Sequence, residues 1–189
     1  MFRFLAISLL LLSAGCRKEY SYEGGPSTVA PVDTGVTTEP LPPAPLIGVC
    51  AACTDAAGSD PATWGFRLEG IAACGPVTRA VMSIEKNAFT FFGPSSCSSD
   101  SGLIITAYFN EPFFTQDRSG LPAASAFLSY YDNTTNNDFL SSNNQHRITV
   151  WIDNYLHATR TATGTFSGSA LTPDGKVHPV TAGKFRIQF

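Results

Sequence analysis

Arg147-Ile-Thr-Val-Trp-Ile-Asp153 alternates strictly, with Ile148, Val150 and Ile152 on one face and Arg147, Thr149, Trp151 and Asp153 on the other. A period of two marks a β-strand covered on one side. The rhythm returns at Trp64-Gly-Phe-Arg-Leu-Glu69 and in Thr161 to Ala170, where Ala162, Gly164, Phe166, Gly168 and Ala170 oppose Thr163, Thr165, Ser167 and Ser169. Lys184-Phe-Arg-Ile-Gln-Phe189 ends the chain in the same way. Leu103-Ile-Ile-Thr-Ala-Tyr-Phe109 is apolar almost throughout and reads as a strand covered on both faces, with Phe91-Phe92 and Ile104-Ile105 at the centre of the core. Val77 to Ile84 and Ala88 to Phe92 flank a turn at Glu85-Lys86-Asn87, and Ala123 to Tyr131 supplies a further strand. Pro173-Asp-Gly-Lys176 is a turn signal, while Pro112, Gly120 and Pro122 make 110–122 a loop. The expected fold is all-β, an antiparallel β-sandwich or barrel-like single domain.

Composition agrees. Charged residues are 14% and aromatics 12% of 189 residues, a mixture of short strands and polar turns rather than amphipathic helices. Lys and Arg total 12 against 15 Asp and Glu, and the basic residues after Lys18 stand singly, so nothing recruits nucleic acid.

The amino terminus decides where the domain is held. Arg3 precedes an apolar run from Phe4 to Leu12 that ends in Ser13-Ala-Gly15 and Cys16, the anatomy of a secretory signal. At about 1.5 Å per residue the run falls far short of a roughly 30 Å hydrocarbon core. Leu12-Ser-Ala-Gly-Cys16 resembles the bacterial lipobox, which implies acylation of Cys16, palmitate included, as the mature terminus; Ser13 departs from the leucine usual three places before the cysteine. Arg17-Lys-Glu19 is similar to the short charged export tags of Bacteroidota surface lipoproteins, with one acid where two are usual. From Tyr20 to Leu46, six prolines sit among Gly, Ser, Thr and Val with few large apolar side chains, a composition that cannot bury enough surface to fold. The expected organisation is a signal peptide over 1–15, a lipidated Cys16 and Pro-rich disordered tether over 16–46, and a β-domain over 47–189. Gly164-Thr-Phe-Ser-Gly168 and Val180-Thr-Ala-Gly-Lys-Phe-Arg186, with the aromatic-rich Trp64-Gly-Phe66, resemble a family of Bacteroidota lipoproteins of uncharacterised function. That resemblance implies a β-sandwich or barrel-like domain on an acylated anchor and brings no catalytic residues.

With Cys16 assigned to lipid, Cys50, Cys53, Cys74 and Cys97 form an even set in an oxidising compartment, where two disulfides are expected. Cys74 lies twelve residues before Lys86 and Cys97 eleven after it, so the hairpin register sets them face to face. The expected pairs are Cys74 with Cys97 and Cys50 with Cys53. Cys50-x-x-Cys53 alone has finger-like spacing and lacks a thioredoxin-type strand and helix, which speaks against zinc and redox chemistry.

Catalytic motifs are missing from the sequence. His146, His157 and His178 have no H-E-x-x-H spacing, and Gly164 to Gly168 places its serine one position late for G-x-S-x-G. A triad would have to assemble in space from a histidine, a serine and Asp132, Asp138 or Asp153, and loop histidines are mostly solvated. Glu69, Glu85 and Glu111 offer glycosidase carboxylates but read as solvated strand and turn residues. Asp132, Thr134, Asn136 and Asp138 space oxygen ligands as for calcium, without the glycine and closing glutamate of a calcium loop. No metal or cofactor is called for.

The aromatics give the functional lead. Trp151, with Arg147 and Asp153 on the same strand face, is a platform for a sugar ring or a partner protein unless another strand or the Cys50 segment covers it. Phe113-Phe114 would add an exposed loop edge. The expectation is a non-enzymatic outer-membrane lipoprotein on the periplasmic or cell-surface side, held through its acyl chains and binding a glycan or envelope protein. The alternatives are a structural envelope component and, less favoured, a hydrolase.

Overall fold

The structure, a computed structural model, describes residues 46–53, 62–132 and 137–189. The signal segment, Cys16, the tether up to residue 45 and positions 133–136 of the candidate calcium loop lie outside the described residues. Among the described residues no helix is long and apolar enough to cross a membrane.

Among the described residues a 3-10 turn at Ala51–Cys53 precedes eleven strands: β1 Thr63–Leu68, β2 Ile71–Pro76, β3 Arg79–Met82, β4 Ala88–Pro94, β5 Ser101–Tyr108, β6 Arg118–Pro122, β7 Ser125–Asp132, β8 Asn137–Ser141, β9 Ile148–Leu156, β10 Thr161–Leu171 and β11 Val177–Gln188. All pairings are antiparallel, in the order β2-β1-β11-β10-β8-β7-β5-β4-β3, with β9 beside β10 and β6 beside β9. The sheet curls into a barrel-like sandwich with β6, β9, β10, β11, β1 and β2 on one side. One corner is a single rung between Leu171 and Ser141. At the other the chain changes partners within two residues: the Val77 amide donates to Ala62 at 2.9 Å and the Thr78 amide to Phe92 of β4 at 3.0 Å.

Alternation fills the space between the layers. Trp64, Phe66 and Leu68 of β1, Leu103, Ile105 and Ala107 of β5, and Ile148, Val150 and Ile152 of β9 are all buried. Rings meet across the core, Phe91 with Phe185 at 5.4 Å and Phe66 with Tyr130 at 5.7 Å between centroids. Within the β10–β11 pair, Phe166 lies opposite Gly183 and Phe185 opposite Gly164. A Cβ at Gly183 would stand 2.5 Å from the Phe166 ring, and one at Gly164 2.5 Å from the Phe185 ring. Each phenylalanine therefore lies where the opposite residue has no side chain.

A β-bulge then sets the outer face. Between Gly65 and Arg67 of β1, and again between Phe166 and Gly168 of β10, two steps are matched by three in β11. The extra residue falls at Thr181-Ala182, both exposed, and Ala182 has φ 51°. His178 and Val180 before it, and Phe185 and Ile187 after it, all point inward, and Lys184 and Arg186 point out. β9 carries the same device at Asp153-Asn154, which lets Tyr155 enter the core.

Several expectations need correction. The face of β5 bearing Ile104, Thr106 and Tyr108 is half-buried to exposed, so that strand is covered on one side only. The 110–122 stretch contains β6, an edge strand paired with β9. Phe139 and Leu140 lie in β8, a short strand between β7 and β9 in the chain. Disulfides link all four cysteines, but as Cys50–Cys97 and Cys53–Cys74, with Cα separations of 5.8 and 5.4 Å. The hairpin register itself is as read, Arg79 opposite Phe92 and Met82 opposite Phe89. Cys74 and the loop after β4 also meet, the Ser96 amide donating to the Cys74 carbonyl at 2.9 Å. β2 has by then turned to pair with β1, and the Cys50–Cys53 turn binds one sulfur to each side.

Two neighbouring substitutions test the bulge. Gly183→Ala is expected to cost about 2–4 kcal/mol, because a methyl group must displace backbone and an aromatic ring. Ala182→Gly is expected to be neutral or stabilising by up to about 1 kcal/mol, since glycine adopts positive φ without strain. Chemical denaturation of the two variants beside the parent reads both.

Candidate functional site

The outward residues of β9, β10, β11 and β1 form one continuous polar face. Trp151 pairs with Thr165, and Thr165 with Lys184, in a single row across three strands. Thr163 pairs with Arg186, and Arg186 with Thr63, in the next. Trp151 is 41% exposed, and among the described residues no strand and no part of the Cys50 segment covers it. It borders a groove of about 300 Å³ with Thr149, Thr165, Ser167, Ala182 and Lys184. A second groove of about 360 Å³ holds Asp153, Thr163, Arg186 and Thr63 and shares Thr165 and Lys184 with the first. The two are therefore contiguous. Among the described residues the side chains of Asp153, Lys184 and Arg186 make no hydrogen bond or ion pair; all three are exposed. Indole, hydroxyls, one carboxylate and two cations thus stand free on one surface.

The sequence singled out Trp151 and Asp153, and the structure places them on adjoining grooves. Arg147 does not join them: its Nε donates to the Asn144 carbonyl at 2.6 Å, and it lines a separate hollow with Phe127 and Asn143. Phe113 and Phe114 are corrected outright. Both are fully buried, because the loop folds beneath the sheet and their amides donate to the Lys86 carbonyl at 2.8 and 3.2 Å. Phe114 packs edge-on against Tyr155 at 5.0 Å, and Arg118 lies over the Phe113 ring at 5.9 Å. Lys184 and Arg186 were missed; alternation alone assigned them a polar face without showing that it was the face of Trp151.

A histidine cluster sits elsewhere. His178 is a buried strand residue and not a solvated loop one; its Nδ1 lies 2.7 Å from the Glu69 carboxylate and its Nε2 3.5 Å from the Thr172 hydroxyl. The order hydroxyl, imidazole, carboxylate is that of a triad. The chemistry differs, because the Thr172 hydroxyl donates to Asp174 and lines neither groove. Glu69 sits at the β1–β2 turn with φ 51°, so the cluster ties that turn to the β10–β11 turn. Glu111 pairs with Arg118 at 3.0 Å. Among the described residues no three or more His, Cys, Asp or Glu side chains are grouped to hold a metal ion.

A cleft of about 470 Å³ lies between Leu46–Cys50 and the body of the sandwich, lined by Ile47, Ala73, Ser101, Tyr130, Asp132 and Phe139 among others. Its walls include the Cys50–Cys97 bridge, and Ile47 is itself part of the core. Much of its apolar lining thus serves to seat the segment that forms it. Comparison with protein-family models, curated proteins and solved structures finds no match for the chain.

The β10–β11 turn titrates. The Lys176 ammonium, 2.8 Å away, and the Thr172 hydroxyl hold the Asp174 carboxyl far below the usual carboxylate range. A carboxyl with its folded pKa depressed stabilises above its unfolded pKa, about 4, and loses that contribution as pH falls below it. Acid unfolding of Asp174→Asn is accordingly expected to show a flatter limb below about pH 4 than the parent, with lower stability at neutral pH. Circular dichroism against pH measures both.

Proposed function

We propose that the chain is an exported outer-membrane lipoprotein, acylated at Cys16, whose β-domain is a non-catalytic module that binds a glycan on the Trp151 face. The signal-like run, the lipobox-like Leu12–Cys16 stretch and the Pro-rich segment after it support the anchoring and the tether. The observation that carries the binding role is the exposure of Trp151 on a strand whose same-face neighbours are Thr149, Thr165 and Ser167. A large aromatic left in water on a fully paired strand has no part in the core. Its ring offers an apolar face to the axial hydrogens of a sugar, and the surrounding hydroxyls both donate to and accept from sugar hydroxyls.

A second reading, a structural envelope component, draws on the opposite sheet. There Phe92 stacks on Tyr131 at 5.7 Å and Tyr108 meets Phe127 edge-on at 6.4 Å, with Phe92, Tyr108 and Phe127 all exposed. Stacked rings show solvent their edges and not a flat face, which suits a protein surface better than a sugar.

Affinity electrophoresis of the full chain in detergent through gels containing polysaccharides distinguishes the two. Trp151→Ala is expected to abolish retardation, a loss of about tenfold or more in affinity, with thermal unfolding unchanged. If retardation is instead lost in Phe127→Ser and kept in Trp151→Ala, the binding surface is the other sheet. Labelled palmitate entering the parent and not Cys16→Ser tests the anchor.

A further inference from the structure

We infer that the glycan carried by the Trp151 face is an acidic one, bearing carboxylate or sulfate groups; the inference rests on the binding role proposed for that face. Lys184 stands in the same row as Trp151, two strands away through Thr165. At roughly 4.8 Å between strands that is about 10 Å, the reach from a sugar seated on the indole to a substituent on its neighbour. Arg186 follows Lys184 two residues along β11, on the same side, about 7 Å further. The two cations thus run along β11, Lys184 lining both grooves and Arg186 the second.

Their charge is unspent. Neither side chain has a hydrogen-bond or ion-pair partner among the described residues, and Asp153 is the one carboxylate lining either groove. Arg67, opposite Thr181 on the same face, adds a third cation, held by its guanidinium to the Gly70 carbonyl at 2.9 Å. This is a locally positive surface on a chain of net charge −3, so overall composition does not account for it. Lysine and arginine donate and never accept, so they add little for a neutral sugar that the threonines do not already supply. For an anionic group they provide charge-assisted hydrogen bonds and long-range attraction. The bulge at Thr181-Ala182 turns both cations to this side, and in unbroken alternation they would point into the core.

Carboxylate and sulfate share this chemistry, and the experiment separates them. The full chain in detergent is run in affinity gels containing dextran, polygalacturonate or dextran sulfate, at low and at raised salt. Retardation by at least one acidic polymer is expected to exceed that by dextran about tenfold at low salt and to fall steeply as salt rises. The Lys184→Ala/Arg186→Ala double variant is expected to lose that excess, while Arg79→Ala, on the opposite sheet, keeps it. Which acidic polymer retards the chain tells carboxylate from sulfate. Equal retardation by dextran and the acidic polymers, abolished by Trp151→Ala, would overturn the inference and leave the binding role standing. An excess that survives the double variant would overturn it as well. If no polymer, neutral or acidic, retards the parent, the binding role fails and the inference with it.

Discussion

Two phenylalanines laid over two glycines hold this molecule in register. Phe166 occupies the space above Gly183, and Phe185 the space above Gly164, so the β10–β11 pair interlocks as well as hydrogen-bonds. The consequence is positional. A slip of one residue would set each ring against a side chain and turn the whole inner face outward. β11 is the longest strand, and it also carries β1, whose Trp64 lies opposite Phe185. One local interaction therefore fixes three strands, the ring stack between the layers and, on the far side, the spacing of Trp151, Thr165 and Lys184.

The disulfides act where that lock does not reach. Gly75 and Gly93 let β2 and β4 approach so closely that a Cβ on Gly93 would touch the Trp64 indole at 2.5 Å. Hydrogen bonding is sparse at this corner, because the chain leaves β1 for β4 between Val77 and Thr78. Cys53–Cys74 fastens the Cys50–Cys53 turn to one strand and Cys50–Cys97 fastens it to the loop beyond the other. Such crosslinks limit the unfolded chain more than they strengthen the folded one, and they suit a domain outside the reducing cytosol.

What could be read in the sequence was whatever a strand declares locally. Alternation around Trp151 named its face correctly, and the Glu85-Lys86-Asn87 turn yielded the right hairpin register. The cysteine pairing failed even so, because register predicts which residues approach and cannot show a third segment lying between them. Phe113-Phe114 failed for a related reason. Pro112 and Gly120 do mark an irregular segment, but whether such a segment lies on the surface or is drawn under the sheet depends on a carbonyl at Lys86, far back in the chain. The Glu69–His178 contact spans 109 positions and joins two turns that become neighbours only once β1 has paired with β11. Lys184 and Arg186 were visible as polar, but their company was not.

That company is the work of a single inserted residue. Ala182 sits at positive φ without being glycine, a conformation that costs an L-residue about 1–2 kcal/mol. The gain is a change of phase within one strand: His178 and Val180 face inward before it and Phe185 and Ile187 after it, whereas strict alternation would have buried Lys184. An unpaired lysine inside this core would be prohibitive, so the bulge and the two cations are one structural decision. The bulge at Asp153-Asn154 changes the phase of β9 for Tyr155, which enters the core, while Asp153 ahead of it faces the groove by the ordinary alternation of Trp151. The two cations of the face thus depend on an irregularity in β11, while Trp151, Asp153 and the threonines belong to regular alternation. The hydroxyl and aromatic surface is what an ordinary half-buried sheet provides; the charge is an addition that the fold accommodates at the expense of local strain.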